Sequence, residues 1–124
     1  MNDKKMWIII SAVSGFTAVA IGAFGAHGLR ENLSAEMLEV YKTGVLYQFI
    51  HTIVILILSL TYFIKTKIAY IFFLLGIILF SFSLYIYSTS GIQFFAIITP
   101  VGGVCFLIGW LWIIVETIKI KVSK

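Results

Sequence analysis

Charged residues, cysteine and proline are all scarce in this 124-residue sequence. Charged side chains make up 11% of the residues, far below the level of about 25% in soluble globular domains, so the composition excludes a soluble fold. The single cysteine, Cys105, cannot form an internal disulfide, and cysteine usage therefore says nothing about the redox compartment. The patterns His-x-x-x-His, Cys-x-x-Cys and Glu-x-x-His do not occur, so the sequence contains no metal-binding motif.

Long apolar runs fill most of the remaining sequence. Hydrophobic residues reach 61%, and the mean hydropathy is +1.11. A bilayer crossing needs about 20 apolar residues, so we predict an all-α membrane protein with a single domain, residues 1–124. Four transmembrane helices are predicted, at residues 6–26, 44–64, 68–87 and 100–118. The first run is longer than the apolar core of a secretory signal, so we expect it to be retained as a helix.

Small residues recur in these runs at steps of three and four, which is the spacing of one helix face. In lipid, a face of small residues lets two helix backbones approach closely and so marks a packing surface. The residues assigned to helix packing are Ser11, Gly15, Ala18, Gly22, Gly25, Gly44, Gly76, Gly102 and Gly109. One such stripe on each helix predicts an antiparallel, left-handed four-helix bundle.

Capping residues predict where the helices begin and end. Gly28 matches a helix C-terminal cap, and Ser34 is a typical N-cap. Apolar residues after Ser34 predict a short amphipathic helix between the first two spans, lying at the interface or, as we favour, running on into the second span. Thr99 followed by Pro100 predicts the start of the last helix, so residues 88–99 are predicted to form a loop.

Basic residues are distributed unevenly about the four predicted spans. Arg30 and Lys42 lie on one side of the membrane, and seven lysines lie on the other: Lys4, Lys5, Lys65, Lys67, Lys119, Lys121 and Lys124. The positive-inside rule then predicts a bacterial cytoplasmic membrane protein with both termini in the cytoplasm. Because the lysines flank the spans and form no aromatic-laced patch, the net charge of +4 does not indicate a nucleic-acid partner.

Polar residues at membrane depth concentrate near the outer end of the predicted bundle. Tyr41, Gln48 and His51 share one face of the second span, while His27 and Arg30 close the first span. Polar side chains are costly in lipid unless they face protein or a wet cavity, so Gln48 and His51 are predicted to point inward. We predict that the five residues form one polar cluster, either a packed helix end or a ligand site, and for His51 we favour internal hydrogen bonding.

The candidates for chemistry are few. His27 and His51 are the obvious residues for metal or haem ligation, because imidazole is a common ligand for both. Two histidines outside any known ligand motif are weak evidence for a metal or haem site, so we expect no metal and no cofactor. Glu116 is predicted to be an interfacial residue that either pairs with the lysines after it or reaches water. Hydroxyl groups within the spans have no acidic neighbour in sequence, so we expect no enzyme.

Three segments resemble the YwdK-like family of small membrane proteins, to which vertebrate transmembrane protein 256 is also similar. They are GAFGAHGL at residues 22–29, YKTGVLYQFIH at residues 41–51 and TPVGG at residues 99–103. The resemblance covers nearly the whole chain and implies four spans. It singles out His27, Gln48 and His51, but the family has no agreed activity, so the resemblance implies no substrate.

Three functional classes remain open. We expect first a non-enzymatic structural or interaction protein that packs through its glycine faces with a second copy or with a larger membrane partner. A small transport or lipid-binding protein that uses the outer polar cluster is the alternative. A haem- or metal-binding redox subunit is the third class, and membrane lipid is a partner in all three.

Overall fold

The computed structural model describes residues 2–121. The four helices are α1 (Asp3–Leu29), α2 (Ala35–Ser59), α3 (Lys67–Ser90) and α4 (Gln93–Ile118). Each is long and apolar enough to cross a membrane, and the described part of the chain contains no strand. The predicted all-α class with four spans is therefore confirmed. Lys124, one of the seven lysines on the predicted cytoplasmic side, lies outside the described residues.

Helix α1 begins at an N-cap and ends in a wide turn. The side chain of Asn2 accepts a hydrogen bond from the backbone N–H of Lys4 at 2.8 Å. The last five residues, Gly25–Leu29, form a π-helix, and Arg30 after them keeps a right-handed helical conformation. Gly28 therefore lies within the helix, and the prediction of a glycine cap at this position is wrong.

Helix α2 runs unbroken over Ala35–Ser59. Its N-cap is Ser34, whose hydroxyl accepts a hydrogen bond from the backbone N–H of Met37 at 3.1 Å. Residues 35–43 form the first turns of this helix. The prediction of a separate amphipathic helix between the first two spans is therefore wrong. The structure shows the continuous helix, which is the alternative that we favour.

Helix α4 begins earlier than predicted. It starts at Gln93, so Pro100 lies inside it, and the predicted loop at residues 88–99 and helix start at Pro100 are both wrong. Backbone groups in lipid have no water to bond, so a helix continues through apolar residues even where a proline removes one hydrogen bond. Helix α3, which precedes it, contains a π-helical segment at Ile77–Phe82.

Helices that are neighbours in the chain pack on each other. Helix α1 contacts α2, and α3 contacts both α2 and α4. Lys4 near the start of α1 bonds to Leu58 near the end of α2, whereas Tyr41 near the start of α2 bonds to Ile21 late in α1. That order is the one expected of two antiparallel neighbours. The antiparallel arrangement of the whole bundle and its left-handed crossing stay predictions.

An apolar core lies between the helices, toward the end of the molecule where α1 begins. Its buried members are Trp7, Ile55, Leu58, Ala69, Tyr70, Phe73, Ile77 and Phe106. Trp7 of α1 stacks on Tyr70 of α3 with ring centroids 4.7 Å apart. Because lipid is as apolar as these side chains, close packing rather than removal from water holds this core together.

The small-residue faces are occupied by contacts within the chain. A Cβ on Gly44 would stand 2.7 Å from the ring of Tyr85, and one on Gly102 would overlap the backbone of α3. Gly15 and Gly22 lie against α2 with more room, since a Cβ there would be 3.7 Å and 3.3 Å from the nearest side chain. The remaining members of these faces, which are buried or lie against facing rings, are Ser11, Ala18, Gly25, Gly76 and Gly109.

Candidate functional site

Gln48 joins three helices at the centre of the protein. It lies on α2 and is 0% exposed, and its amide nitrogen donates to the Ser14 carbonyl oxygen at 2.9 Å and to Thr17 Oγ1 at 3.0 Å, both on α1. Its Oε1 accepts a hydrogen bond from the Tyr85 hydroxyl of α3 at 2.6 Å. Each of these groups would be costly in lipid without a partner, so this single amide ties the three helices together.

Two tyrosines extend the network toward the end of the bundle where α2 begins. The rings of Tyr41 and Tyr85 lie 5.3 Å apart between centroids. The Tyr41 hydroxyl donates to the carbonyl oxygen of Ile21 on α1. Deeper in the bundle, the hydroxyls of Ser14 and Thr52 form a hydrogen bond of 2.6 Å between α1 and α2. Hydrogen bonds therefore follow the interface of α1 and α2 along much of its length.

His51 lies one turn further along α2 and faces α4. Trp110 Nε1 donates to His51 Nε2 at 3.1 Å, and His51 Nδ1 lies 2.8 Å from the carbonyl oxygen of Tyr47. An indole only donates and a carbonyl only accepts, so the proton is on Nδ1 and the ring is neutral. The imidazole also stacks on Phe106 with ring centroids 3.6 Å apart. Both ring nitrogens are therefore occupied, and neither is free to bind a metal or haem iron.

His27 and Arg30 lie apart from the other three residues of the predicted cluster. Both side chains are exposed, and no hydrogen bond or ring contact in the described residues joins them to Tyr41, Gln48 or His51. The prediction of one five-residue polar cluster is therefore wrong. Tyr41 and Gln48 meet through a tyrosine of α3, whereas His51 belongs to a separate contact with α4.

Lys4 makes a contact that the sequence did not predict. Its ammonium group donates to the carbonyl oxygen of Leu58 at 3.1 Å, to Thr66 Oγ1 at 3.2 Å and to the Tyr70 hydroxyl at 3.2 Å. The carbonyl belongs to the C-terminal turn of α2, where the helix dipole favours a positive charge. Lys4 therefore joins the start of α1 to the connection between α2 and α3.

The carboxylates provide no assembled site. Glu116 is 9% exposed and accepts a hydrogen bond from Lys119 at 3.2 Å, which is the ion pair expected of it. Glu31, Glu36 and Glu39 are exposed. Within residues 2–121, no three side chains of His, Cys, Asp or Glu lie close enough together to hold a metal ion. The hydrogen bonds of Gln48, Tyr85 and His51 therefore hold neighbouring helices together.

Comparison with known proteins agrees with the fold. Residues 21–103 match a family described as a protein of unknown function (DUF423). This chain belongs to that family. The matched range contains both Gln48 and His51, together with the three segments that resemble the YwdK-like proteins.

The relatives are membrane proteins of similar length. The UPF0382 membrane protein SSP2132 of Staphylococcus saprophyticus is 41% identical over 119 residues, covering 94% of this chain and 99% of the relative. The UPF0382 inner membrane protein YgdD of Escherichia coli strain K12 is 40% identical, covering 95% and 93%. YwdK of Bacillus subtilis is 38% identical, covering 93% and 98%. No solved structure matches. The predicted membership of the YwdK-like family is confirmed.

Proposed function

We propose that this membrane protein is a non-catalytic structural or interaction component of the bacterial cytoplasmic membrane. The observation that supports the proposal is that the buried amide of Gln48 and the buried imidazole of His51 have their polar atoms in hydrogen bonds within the chain. Gln48 uses its amide nitrogen and oxygen on two other helices, and His51 uses both ring nitrogens. Side chains committed in this way stabilise a fold and have no free atom for a substrate.

The surroundings of the hydroxyl groups support a non-enzymatic role. A nucleophilic hydroxyl needs a base within hydrogen-bond reach and a third group to orient that base. Ser11, Ser59 and Thr117 instead donate to carbonyl oxygens of their own helices, at 2.9, 2.6 and 2.7 Å. Ser83 and Thr99 bond to each other across α3 and α4 at 2.6 Å. None of these five hydroxyls has a histidine or carboxylate as its partner.

Transport through a single copy is disfavoured by the position of the apolar core. The hydrogen-bonded groups around Gln48 occupy one part of the bundle, and beyond them Ile55, Phe73 and Ile77 fill the interior, each 2% exposed or less. A polar solute would have to displace this packed apolar segment. The proposed role therefore lies at the outer surface of the protein rather than along a path through it.

The outer sides of α1 and α4 are the surfaces available to a partner. Only 22% of the most apolar stretch of each helix is buried, compared with 50% in α3. Because the glycine faces are filled within the chain, we assign the contact with a second copy or a larger membrane protein to these outer sides. Phe16 on α1, 76% exposed, and Leu107 on α4, 69% exposed, mark them.

The test is the mass of the protein in lipid nanodiscs assembled over a range of protein-to-lipid ratios, together with the identity of any protein that copurifies. We expect a dimer or larger species, or a stoichiometric partner, and we expect Phe16→Ala or Leu107→Ala to weaken that association while leaving the helical content unchanged. A lone single copy at every ratio, with no copurifying protein, would contradict the interaction role.

The proposed orientation has its own test. With Cys105→Ala as background, single cysteines are placed at Ser90, the last residue of α3, and at Lys65, between α2 and α3. A membrane-impermeant maleimide added to intact cells should label the cysteine at position 90 and leave the one at position 65 unlabelled until the cells are lysed. The opposite pattern would show that the termini are outside.

A further inference from the structure

A groove lies beside the start of α1 and the end of α2. It has a volume of about 590 Å³ and is open on one side. Lys4, Lys5 and Asn2 line it on the α1 side, and Leu60 and Tyr62 line it on the other. We propose that this groove binds the phosphodiester headgroup of an anionic phospholipid, with the acyl chains lying along α1 below it.

The charge of the groove favours an anion. In residues 2–121 the ion pairs are Lys42 with Glu39 and Lys119 with Glu116, so neither Lys4 nor Lys5 is paired with a carboxylate. The three protons of the Lys4 ammonium point to acceptors of α2, α3 and their connection, so Lys4 supplies charge rather than a new hydrogen bond.

Lys5 supplies the free donor. Its side chain is exposed, and no residue of the described chain accepts a hydrogen bond from its ammonium group. It lies in the first turn of α1, where the backbone N–H groups without helical acceptors add a partial positive charge. Asp3, the carboxylate of that turn, is not part of the groove lining. A phosphodiester at the groove would meet one free ammonium and one fixed positive charge.

The walls of the groove match the two chemical parts of a lipid. Ile8 and Ile9 continue along α1 below the lysines, and Leu60 faces them, so the deeper part is apolar. Tyr62, which is exposed, lines the groove at this level, and such an aromatic side chain favours the boundary between headgroups and acyl chains. A free phosphate ion would leave the apolar part of the groove unfilled, which is why we commit to a phospholipid.

The test uses the purified full chain in detergent, titrated separately with phosphatidylglycerol and with phosphatidylcholine of the same acyl chains, and bound lipid is counted by native mass spectrometry. A lysine near an anionic headgroup is worth about five-fold in affinity. We expect wild-type protein to bind phosphatidylglycerol more tightly, Lys5→Gln to weaken that binding about five-fold, and phosphatidylcholine binding to stay unchanged.

Lys65→Gln is the matched control, because Lys65 is also exposed at this end of the helices but does not line the groove. We expect this variant to change phosphatidylglycerol binding by less than about two-fold. Equal losses in the two variants would indicate a diffuse attraction and overturn the site, as would equal affinity of wild-type protein for both lipids. Either result would leave the nanodisc mass measurement, and hence the proposed interaction role, unaffected.

Discussion

Replacing Gln48 with leucine is expected to lower the free energy of unfolding by about 2–4 kcal/mol. Leucine has a similar size, so the change removes hydrogen bonds and leaves little cavity. The two bonds to α1 contribute about 0.6 kcal/mol each, the average for such bonds between membrane helices. Thr17 and Ser14 keep a hydrogen bond to each other at 2.9 Å, so neither is left without a partner. The Tyr85 hydroxyl is left unpaired, which costs about 1–3 kcal/mol.

A double-mutant cycle isolates the link between Gln48 and Tyr85. Removing both partners leaves no unpaired hydroxyl, so Gln48→Leu combined with Tyr85→Phe should be less destabilising than the sum of the single changes, by about 1–2 kcal/mol. Tyr47→Phe is the matched control, because no residue in the described chain accepts a hydrogen bond from its hydroxyl. We expect this control to change stability by less than about 0.5 kcal/mol.

The assay is equilibrium unfolding in mixed micelles of a mild detergent and dodecyl sulfate, followed by far-ultraviolet circular dichroism and tryptophan fluorescence. Both probes should give one transition with the same midpoint, which licenses the free-energy comparison. A Gln48→Leu variant as stable as wild type, or additive effects in the cycle, would refute the claim that this amide holds the three helices together.

Five further substitutions can be measured by the same unfolding assay. Gly102→Ala should destabilise by about 3 kcal/mol, because its Cβ would overlap the backbone of α3, whereas Gly103→Ala, whose Cβ would lie 3.8 Å from the nearest ring atom, should be neutral or stabilising. Lys4→Met should cost about 2 kcal/mol through its three lost hydrogen bonds, and Lys5→Met less than about 0.5 kcal/mol. Trp110→Phe should cost about 1 kcal/mol, since it removes the donor to the buried histidine. The contacts described would be contradicted if Gly103→Ala cost more stability than Gly102→Ala, or if Lys5→Met cost more than Lys4→Met.

The sequence predicts the features that follow from a lipid environment, namely the four helices and the inward orientation of the polar side chains. Four apolar runs could only be helices, because lipid cannot satisfy free backbone groups. The same reasoning predicted that Gln48 and His51 would point into the protein, and both are buried. Their hydrogen-bond partners, Tyr85 and Trp110, could not be predicted, because both lie far away in the sequence. Tyrosine and tryptophan are also common at membrane surfaces, so their presence does not indicate a buried contact.

The errors have identifiable physical causes. The place of His27 and Arg30 at the end of the first span predicts that they join the cluster, but α1 continues there as a π-helix at Gly25–Leu29 and both side chains remain exposed. The capping preference of Pro100 predicts that α4 starts at residue 100, but the need to pair every backbone group in lipid outweighs that preference, and the helix starts at Gln93. The sequence identifies Lys4 only as a topology signal, because the three groups that accept its hydrogen bonds come from segments more than 50 residues away.

The buried imidazole of His51 has both ring nitrogens in hydrogen bonds within the protein, and nuclear magnetic resonance of the two histidines tests this most directly. Protein labelled with ¹⁵N-histidine in detergent should show His51 as a neutral ring with its proton on Nδ1, with Nε2 accepting a hydrogen bond that disappears in Trp110→Phe. Exposed His27 provides the reference signal. A charged His51 ring, a proton on Nε2, or a shift caused by bound metal or haem would contradict the account.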